Sequence, residues 1–169
     1  LCAHVDNWRW AGVPFYLRTG KRLPERTSQI VIQFRDVPHS IFNGSPLMAN
    51  RLTITLQPEE SIALTIMNKT PSLTQGSYEL QPLTLNLSLL DAFKGEKRRR
   101  IAYERLLLEA ISDNSTLFVR RDEAEAAWVW IDRIIEGWAC TGMKPASYQA
   151  GTWGPAGAFA LTERNGHSW

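Results

Sequence analysis

The sequence predicts an α+β domain, with a large, mostly antiparallel sheet and helices packed on one of its faces. Two observations predict this class. Between residues 28 and 90, apolar side chains recur at every second position, which is the period of a half-buried strand. After residue 90 the period becomes that of an amphipathic helix. Helices that follow a block of strands are typical of an α+β fold.

Four segments alternate as antiparallel strands do, with large apolar side chains on one side. These apolar positions are Ile30, Ile32, Phe34, Leu52, Ile54, Leu56, Ile62, Leu64, Ile66, Leu83, Leu85, Leu87 and Leu89. Residues 43–46, 57–60 and 70–72 carry the turn signals between the strands. The strands are therefore expected to form one sheet with a continuous apolar face.

The opposite face of the predicted sheet lacks the Lys and Glu side chains that a solvated face usually carries. It carries neutral polar residues, namely Thr53, Thr55, Thr65, Thr84, Asn86 and Ser88. Two explanations stay open. Thr suits strands through its intrinsic β-propensity. Alternatively, a partner sheet or subunit covers this face, because neutral side chains tolerate partial burial.

Three helices are predicted in the rest of the chain. The first covers residues 101–112, and the second covers residues 123–138 with Asp122 as its N-cap. A shorter helix covers residues 155–164. It is expected to end at residues 165–166, an Asn-Gly pair, because glycine readily adopts the left-handed conformation that follows a helix.

The composition excludes several classes of protein. The chain has 169 residues, and its net charge of +2 does not indicate nucleic-acid binding. No apolar run approaches the ~18 residues of a membrane span. The sequence contains neither a GxGxxG fingerprint nor a P-loop. Its three His residues are scattered, so no metal site is expected, and Cys2 and Cys140 are interpreted as free thiols in a reducing compartment.

One segment gathers cations next to a glycine. A strand over residues 13–17 leads to a turn at residues 19–20, and Lys21, Arg22 and Arg26 follow it. Cations that converge on a rigid turn would hold a phosphate, with Lys as a point charge and Arg as a planar fork. An ordinary surface turn with solvated cations would have the same pattern, and the residues alone leave both interpretations open.

The segment 6–22, DNWRWAGVPFYLRTGKR, resembles a signature of glucose-6-phosphate dehydrogenases of the bacterial type. The similarity continues in the family's order through segments 36–42 (DVPHSIF), 50–58 (NRLTITLQP), 102–108 (AYERLLL), 116–123 (TLFVRRDE), 151–155 (GTWGP) and 166–169 (GHSW). Several long motifs in one order are far more specific than a single short motif. The resemblance implies that residues 1–169 are the family's C-terminal domain, without its N-terminal dinucleotide-binding domain.

The resemblance implies a cytoplasmic enzyme of the pentose phosphate pathway that oxidises glucose 6-phosphate to 6-phosphogluconolactone with NADP. The catalytic His and most of the NADP site would lie in the absent N-terminal domain. We therefore expect no catalytic, cofactor-binding or metal-binding residue in this chain, and expect it to be inactive alone. The implied substrate-binding residues are Lys21 of the Arg-Thr-Gly-Lys turn, Arg26 five positions later, and Gln57 of the strand that ends in Gln-Pro.

The resemblance also implies a homodimer or tetramer formed through the sheet, with neither nucleic acid nor membrane as a partner. Some animal members bind a second, structural NADP through a basic cluster, which Arg18 matches. Thr27, Val31 and Thr55 stand where further cations of that cluster would be, so no second NADP is expected here. The alternative function is a free-standing, non-catalytic module for sugar-phosphate binding or assembly. The reading frame upstream of Leu1 distinguishes the two.

Overall fold

The computed structural model describes residues 1–40, 42, 47–71, 79–88 and 102–169. They belong to two compact units. The first joins Leu1–Glu25 with Arg99–Trp169, and the second is Arg26–Arg98. Antiparallel strands and helices together confirm the predicted α+β class. The expected packing of helices on one sheet face stays a prediction.

The first unit begins with a small two-stranded sheet. Strand β1 (Cys2–His4) pairs antiparallel with β2 (Pro14–Tyr16). The side-chain oxygen of Asn7 shapes the connection, because it accepts hydrogen bonds from the backbone N–H groups of Arg9 (3.1 Å) and Trp10 (2.9 Å). The predicted strand over residues 13–17 is confirmed in its centre, whereas β1 was not predicted.

Three helices lie in the described part of this unit. They are α1 (Ala102–Ile111), α2 (Arg121–Cys140) and α3 (Ala156–Glu163). Each lies within two residues of its predicted bounds at every described position; Ile101, the predicted start of α1, lies outside the described residues. Helix α3 is followed, as expected, by a glycine at positive φ, Gly166 at +71°.

The prediction that Asp122 is the N-cap of α2 is wrong. The helix begins at Arg121, and Arg120 is the residue at its N-cap. The backbone N–H of Arg120 donates to the Glu123 carboxylate at 3.2 Å. Asp122 lies in the first turn instead, where its negative charge interacts favourably with the positive end of the helix dipole.

The second unit is a four-stranded antiparallel sheet. Its strands are β3 (Ser28–Gln33), β4 (Arg51–Gln57), β5 (Ser61–Lys69) and β6 (Leu80–Ser88), and they lie side by side in that order. The register confirms the predicted apolar face, because Ile54 lies opposite Ile30 and Ile62, and Ile62 lies opposite Leu87. Leu89, the turn at residues 43–46 and Ser72 lie outside the described residues.

The two faces of this sheet differ as the sequence predicted. On the neutral face Thr65 lies opposite Thr84, and their hydroxyl oxygens are 3.0 Å apart. On the apolar face Ile30 is 50% and Leu85 is 51% exposed. No apolar side chain of the described residues is fully buried. A single sheet layer leaves both faces open until another layer covers them.

Within the described part of the chain, no helix combines the length and the apolar composition that crossing a membrane requires.

Candidate functional site

The turn that carries Lys21 is held by a distant segment of the same unit. The Tyr148 hydroxyl donates a hydrogen bond of 2.6 Å to the backbone carbonyl of Lys21. The N–H of Gly151 donates one of 2.8 Å to the carbonyl of Arg22. Arg22 has a φ of +54°, a left-handed conformation that is uncommon for a residue with a Cβ atom. Two hydrogen bonds therefore hold a turn that contains an unfavourable backbone conformation.

A side chain at position 20 would be crowded by its neighbours. A Cβ atom there would lie 3.2 Å from Cδ2 of Leu23 and 3.3 Å from the hydroxyl oxygen of Tyr148. Both distances are tighter than ordinary van der Waals contact. The glycine thus lets the chain pass close to Tyr148 immediately before Lys21.

The side chain of Lys21 is exposed. Among the residues that the structure describes, no carboxylate forms an ion pair with it. An ammonium group without an internal partner is available to bind an anion such as a phosphate.

Arg26 and Gln57 lie at one end of the four-stranded sheet. Arg26 comes two residues before the start of β3 at Ser28, and Gln57 ends β4 directly opposite Ser28. The Thr27 hydroxyl donates to the Gln57 carbonyl at 3.2 Å and ties the two strand ends together. The side chains of Arg26 and Gln57, both predicted site residues, are exposed. A guanidinium and an amide, two groups that bind phosphate or sugar oxygens, thus share this sheet end.

The structure therefore brings together two of the three predicted site residues. Lys21 belongs to the other unit, and its action together with Arg26 and Gln57 stays a prediction. A cavity of about 360 Å³ in the sheet unit is lined by residues such as Arg35, His39 and Asn50. It lies at the opposite end of β4 from Gln57, and no predicted site residue lines it.

Arg18 lies among aromatic rings in the first unit. Its Cζ atom is 4.1 Å from the ring centroid of Trp169, 4.9 Å from that of Phe159 and 6.0 Å from that of Trp153. Its Nε and Nη2 atoms are buried without a hydrogen-bond partner, and desolvation lowers the pKa of this guanidinium. The described contacts of the Arg18 guanidinium are therefore cation–π contacts.

Sequence reasoning missed Tyr148 and Gly151. Tyr148 is 127 positions from Lys21 in the chain, so no local pattern links the two. No group of His, Cys, Asp and Glu residues in the described ranges has the arrangement of a metal site.

Comparison with known proteins identifies the family. The family model described as glucose-6-phosphate dehydrogenase, C-terminal domain, matches residues 1–169. The glucose-6-phosphate 1-dehydrogenase of Zymomonas mobilis subsp. mobilis is 58% identical over 99% of this chain and 35% of that protein. The enzyme of the same name from Rhizobium meliloti is 52% identical over 99% of this chain and 34% of that protein.

Solved structures agree with this match. A glucose-6-phosphate dehydrogenase in complex with its substrate glucose 6-phosphate superposes with a TM-score of 0.85 at 31% identity, over 99% of this chain and 34% of that one. The glucose-6-phosphate 1-dehydrogenase of Mycobacterium avium gives 0.74 at 30% identity, over 100% of this chain and 34% of that one. The chain spans about a third of the length of these relatives. With the whole chain matched, it belongs to the family of glucose-6-phosphate dehydrogenase C-terminal domains.

Proposed function

We propose that residues 1–169 are the C-terminal domain of a cytoplasmic glucose-6-phosphate 1-dehydrogenase of the pentose phosphate pathway. The complete enzyme oxidises glucose 6-phosphate to 6-phosphogluconolactone with NADP. The observation that carries the proposal is the match of the whole chain to relatives of that name at up to 58% identity. This domain binds the substrate phosphate and forms the dimer, and it is inactive alone.

Lys21, Arg26 and Gln57 bind the substrate in this proposal. A phosphate dianion loses water when it binds, and cations must offset that loss. The Lys21 ammonium supplies a point charge, the Arg26 guanidinium a planar fork, and the Gln57 amide a neutral hydrogen-bonding group. The phosphate does not react, so these contacts are the same in the substrate complex and in the transition state, and they serve to hold the sugar in the site.

In the complete enzyme, bound NADP would supply the acceptor for the hydride that leaves C1 of the sugar. The residues of this chain do not fit a second, structural NADP. On the sheet unit, Thr27, Val31 and Thr55 carry no charge. In the other unit the described contacts of the Arg18 guanidinium are cation–π contacts with Trp153, Phe159 and Trp169. Without a cluster of cations the several phosphate charges of NADP would be left uncompensated.

The neutral face of the sheet forms the subunit interface in this proposal. Oligomers of identical chains are mostly two-fold symmetric, so the same patch would contribute from both copies. Thr and Asn side chains pair across such an interface without the cost of burying charge. Two or four copies are compatible with this contact.

The test compares NADP reduction by the complete enzyme with that by residues 1–169 alone. Reduction that depends on glucose 6-phosphate in the complete enzyme supports the proposal. A reading frame that starts near Leu1, with sugar-phosphate binding but no activity, would instead establish the free-standing module.

A further inference from the structure

We propose that Tyr148 is a positioning residue for the substrate phosphate, because its hydroxyl holds the turn from which Lys21 reaches the ligand. This inference rests on the proposed role of Lys21. Tyr148 itself touches neither substrate nor coenzyme in this proposal, and it acts only through the backbone of the turn.

Two successive carbonyls of the turn are each held by a donor from the same short segment. Tyr148 donates to the carbonyl of Lys21 at 2.6 Å, which is at the short end for a hydroxyl donor. Gly151 donates to the carbonyl of Arg22 at 2.8 Å. With both carbonyls held, neither of the two peptide planes that follow Lys21 and Arg22 is free to rotate.

The supporting segment is itself fixed by local hydrogen bonds. The Thr152 hydroxyl donates to the carbonyl of Gln149 at 2.6 Å, and the Thr152 backbone N–H donates to the same carbonyl at 3.2 Å. Gly151 has a φ of +80°, a conformation that glycine adopts without steric cost. Residues 148–152 therefore form a closed turn that can hold its neighbour in place.

The Lys21 turn needs this support because of Arg22. A non-glycine residue at a φ of +54° persists only where its surroundings hold it. The peptide plane held by Tyr148 joins Lys21 to Arg22, so its orientation sets ψ of Lys21 and φ of Arg22 together. Loss of the hydroxyl would let this plane rotate. The ammonium group at the end of the Lys21 side chain would then occupy many positions. Substrate binding would have to order it again.

The test is Tyr148→Phe in the complete enzyme, which removes one hydroxyl and keeps the ring. The net contribution of one hydrogen bond corresponds to a rise of about fivefold in KM for glucose 6-phosphate. We expect kcat to stay unchanged, because the phosphate does not react. Turnover of free glucose, which has no phosphate, should also stay unchanged. The inhibition constant of inorganic phosphate should rise by the same factor as KM.

Tyr16→Phe is the matched control. The Tyr16 hydroxyl accepts a hydrogen bond from Asn165 at 2.7 Å and lies 3.1 Å from Nδ1 of His167. It belongs to the same unit, and both of these partners lie outside the turn. This variant should lower Tm and leave KM for glucose 6-phosphate unchanged. An equal rise of KM in both variants would overturn the positioning role.

The double variant Lys21→Ala with Tyr148→Phe separates this inference from the proposed function. In Lys21→Ala, Tyr148→Phe should raise KM no further, because the hydroxyl acts through Lys21. A full additional rise, or equal losses for glucose and glucose 6-phosphate, overturns the role of Tyr148 alone. If Lys21→Ala itself leaves KM unchanged, the phosphate role of Lys21 fails and the inference fails with it.

Discussion

Replacing Lys21 by alanine tests the phosphate site most directly. The side chain is exposed, and within the described ranges it forms no ion pair. The turn is held through its backbone carbonyls by Tyr148 and Gly151, and these bonds do not involve the ammonium group. Lys21→Ala should therefore leave the fold intact, so that the loss appears in substrate binding rather than in stability.

The size of the effect follows from the bond that is lost. A charge-assisted hydrogen bond to a phosphate contributes roughly 1.5–3 kcal/mol. Each 1.4 kcal/mol is a factor of ten, so KM for glucose 6-phosphate should rise by about one to two orders of magnitude. The contact serves substrate and transition state equally, and kcat should stay close to that of the wild type.

The assay is NADP reduction by the complete enzyme with glucose 6-phosphate and, separately, with free glucose. Turnover of free glucose should barely respond. Arg22→Asn is the control for general electrostatic attraction, because it removes the neighbouring charge and Asn tolerates the positive φ at that position. Equal losses for both substrates, or an equal effect of Arg22→Asn, would refute the assignment of the phosphate contact to Lys21.

Three further predictions follow from the same picture. Arg26→Ala should also raise KM for glucose 6-phosphate selectively, by no more than Lys21→Ala does, in the same two-substrate assay. Residues 1–169 alone should show no NADP reduction, because positioning groups supply neither a base nor a coenzyme site. NADP should also leave the Tm of this domain unchanged in a thermal melt, since a ligand stabilises only a fold that binds it. Activity or a shift in Tm would contradict this prediction. Thr55→Glu with Thr65→Glu should weaken the dimer by burying unpaired charge, seen as a larger dissociation constant in sedimentation; a wild-type chain that sediments as a monomer at high concentration would contradict the proposed interface.

Elements of the fold that depend on local sequence patterns could be predicted from the sequence. The alternation of Ile and Leu placed β3 to β6 in one register, because a shift by one residue would move every apolar side chain to the other face. The Asn-Gly pair marked the end of α3. In contrast, β1 has only three residues, too few for a period to appear.

The N-cap of α2 was misplaced for a different reason. Asp is one of the residue types preferred at an N-cap. However, the Glu123 carboxylate accepts a hydrogen bond from the backbone N–H of Arg120, and this contact stabilises a helix start two residues before the predicted one. A preference for one residue type cannot decide between two nearby starting points. The support of the Lys21 turn was beyond prediction altogether, because it depends on a contact between residues 127 positions apart.

The two sheet faces place different demands on the complete enzyme. Ile30 and Leu85 on the apolar face are half exposed, and burying such side chains contributes about 25 cal/mol per Å². Covering the apolar face therefore contributes more to the stability of the folded enzyme than covering the neutral face does. This agrees with the predicted layer of helices. Burial of the neutral face contributes less, and its Thr65 and Thr84 hydroxyls already form one hydrogen bond with each other. Such a face can stay in contact with water before assembly and can be buried at little cost afterwards, which supports the proposed subunit contact through it.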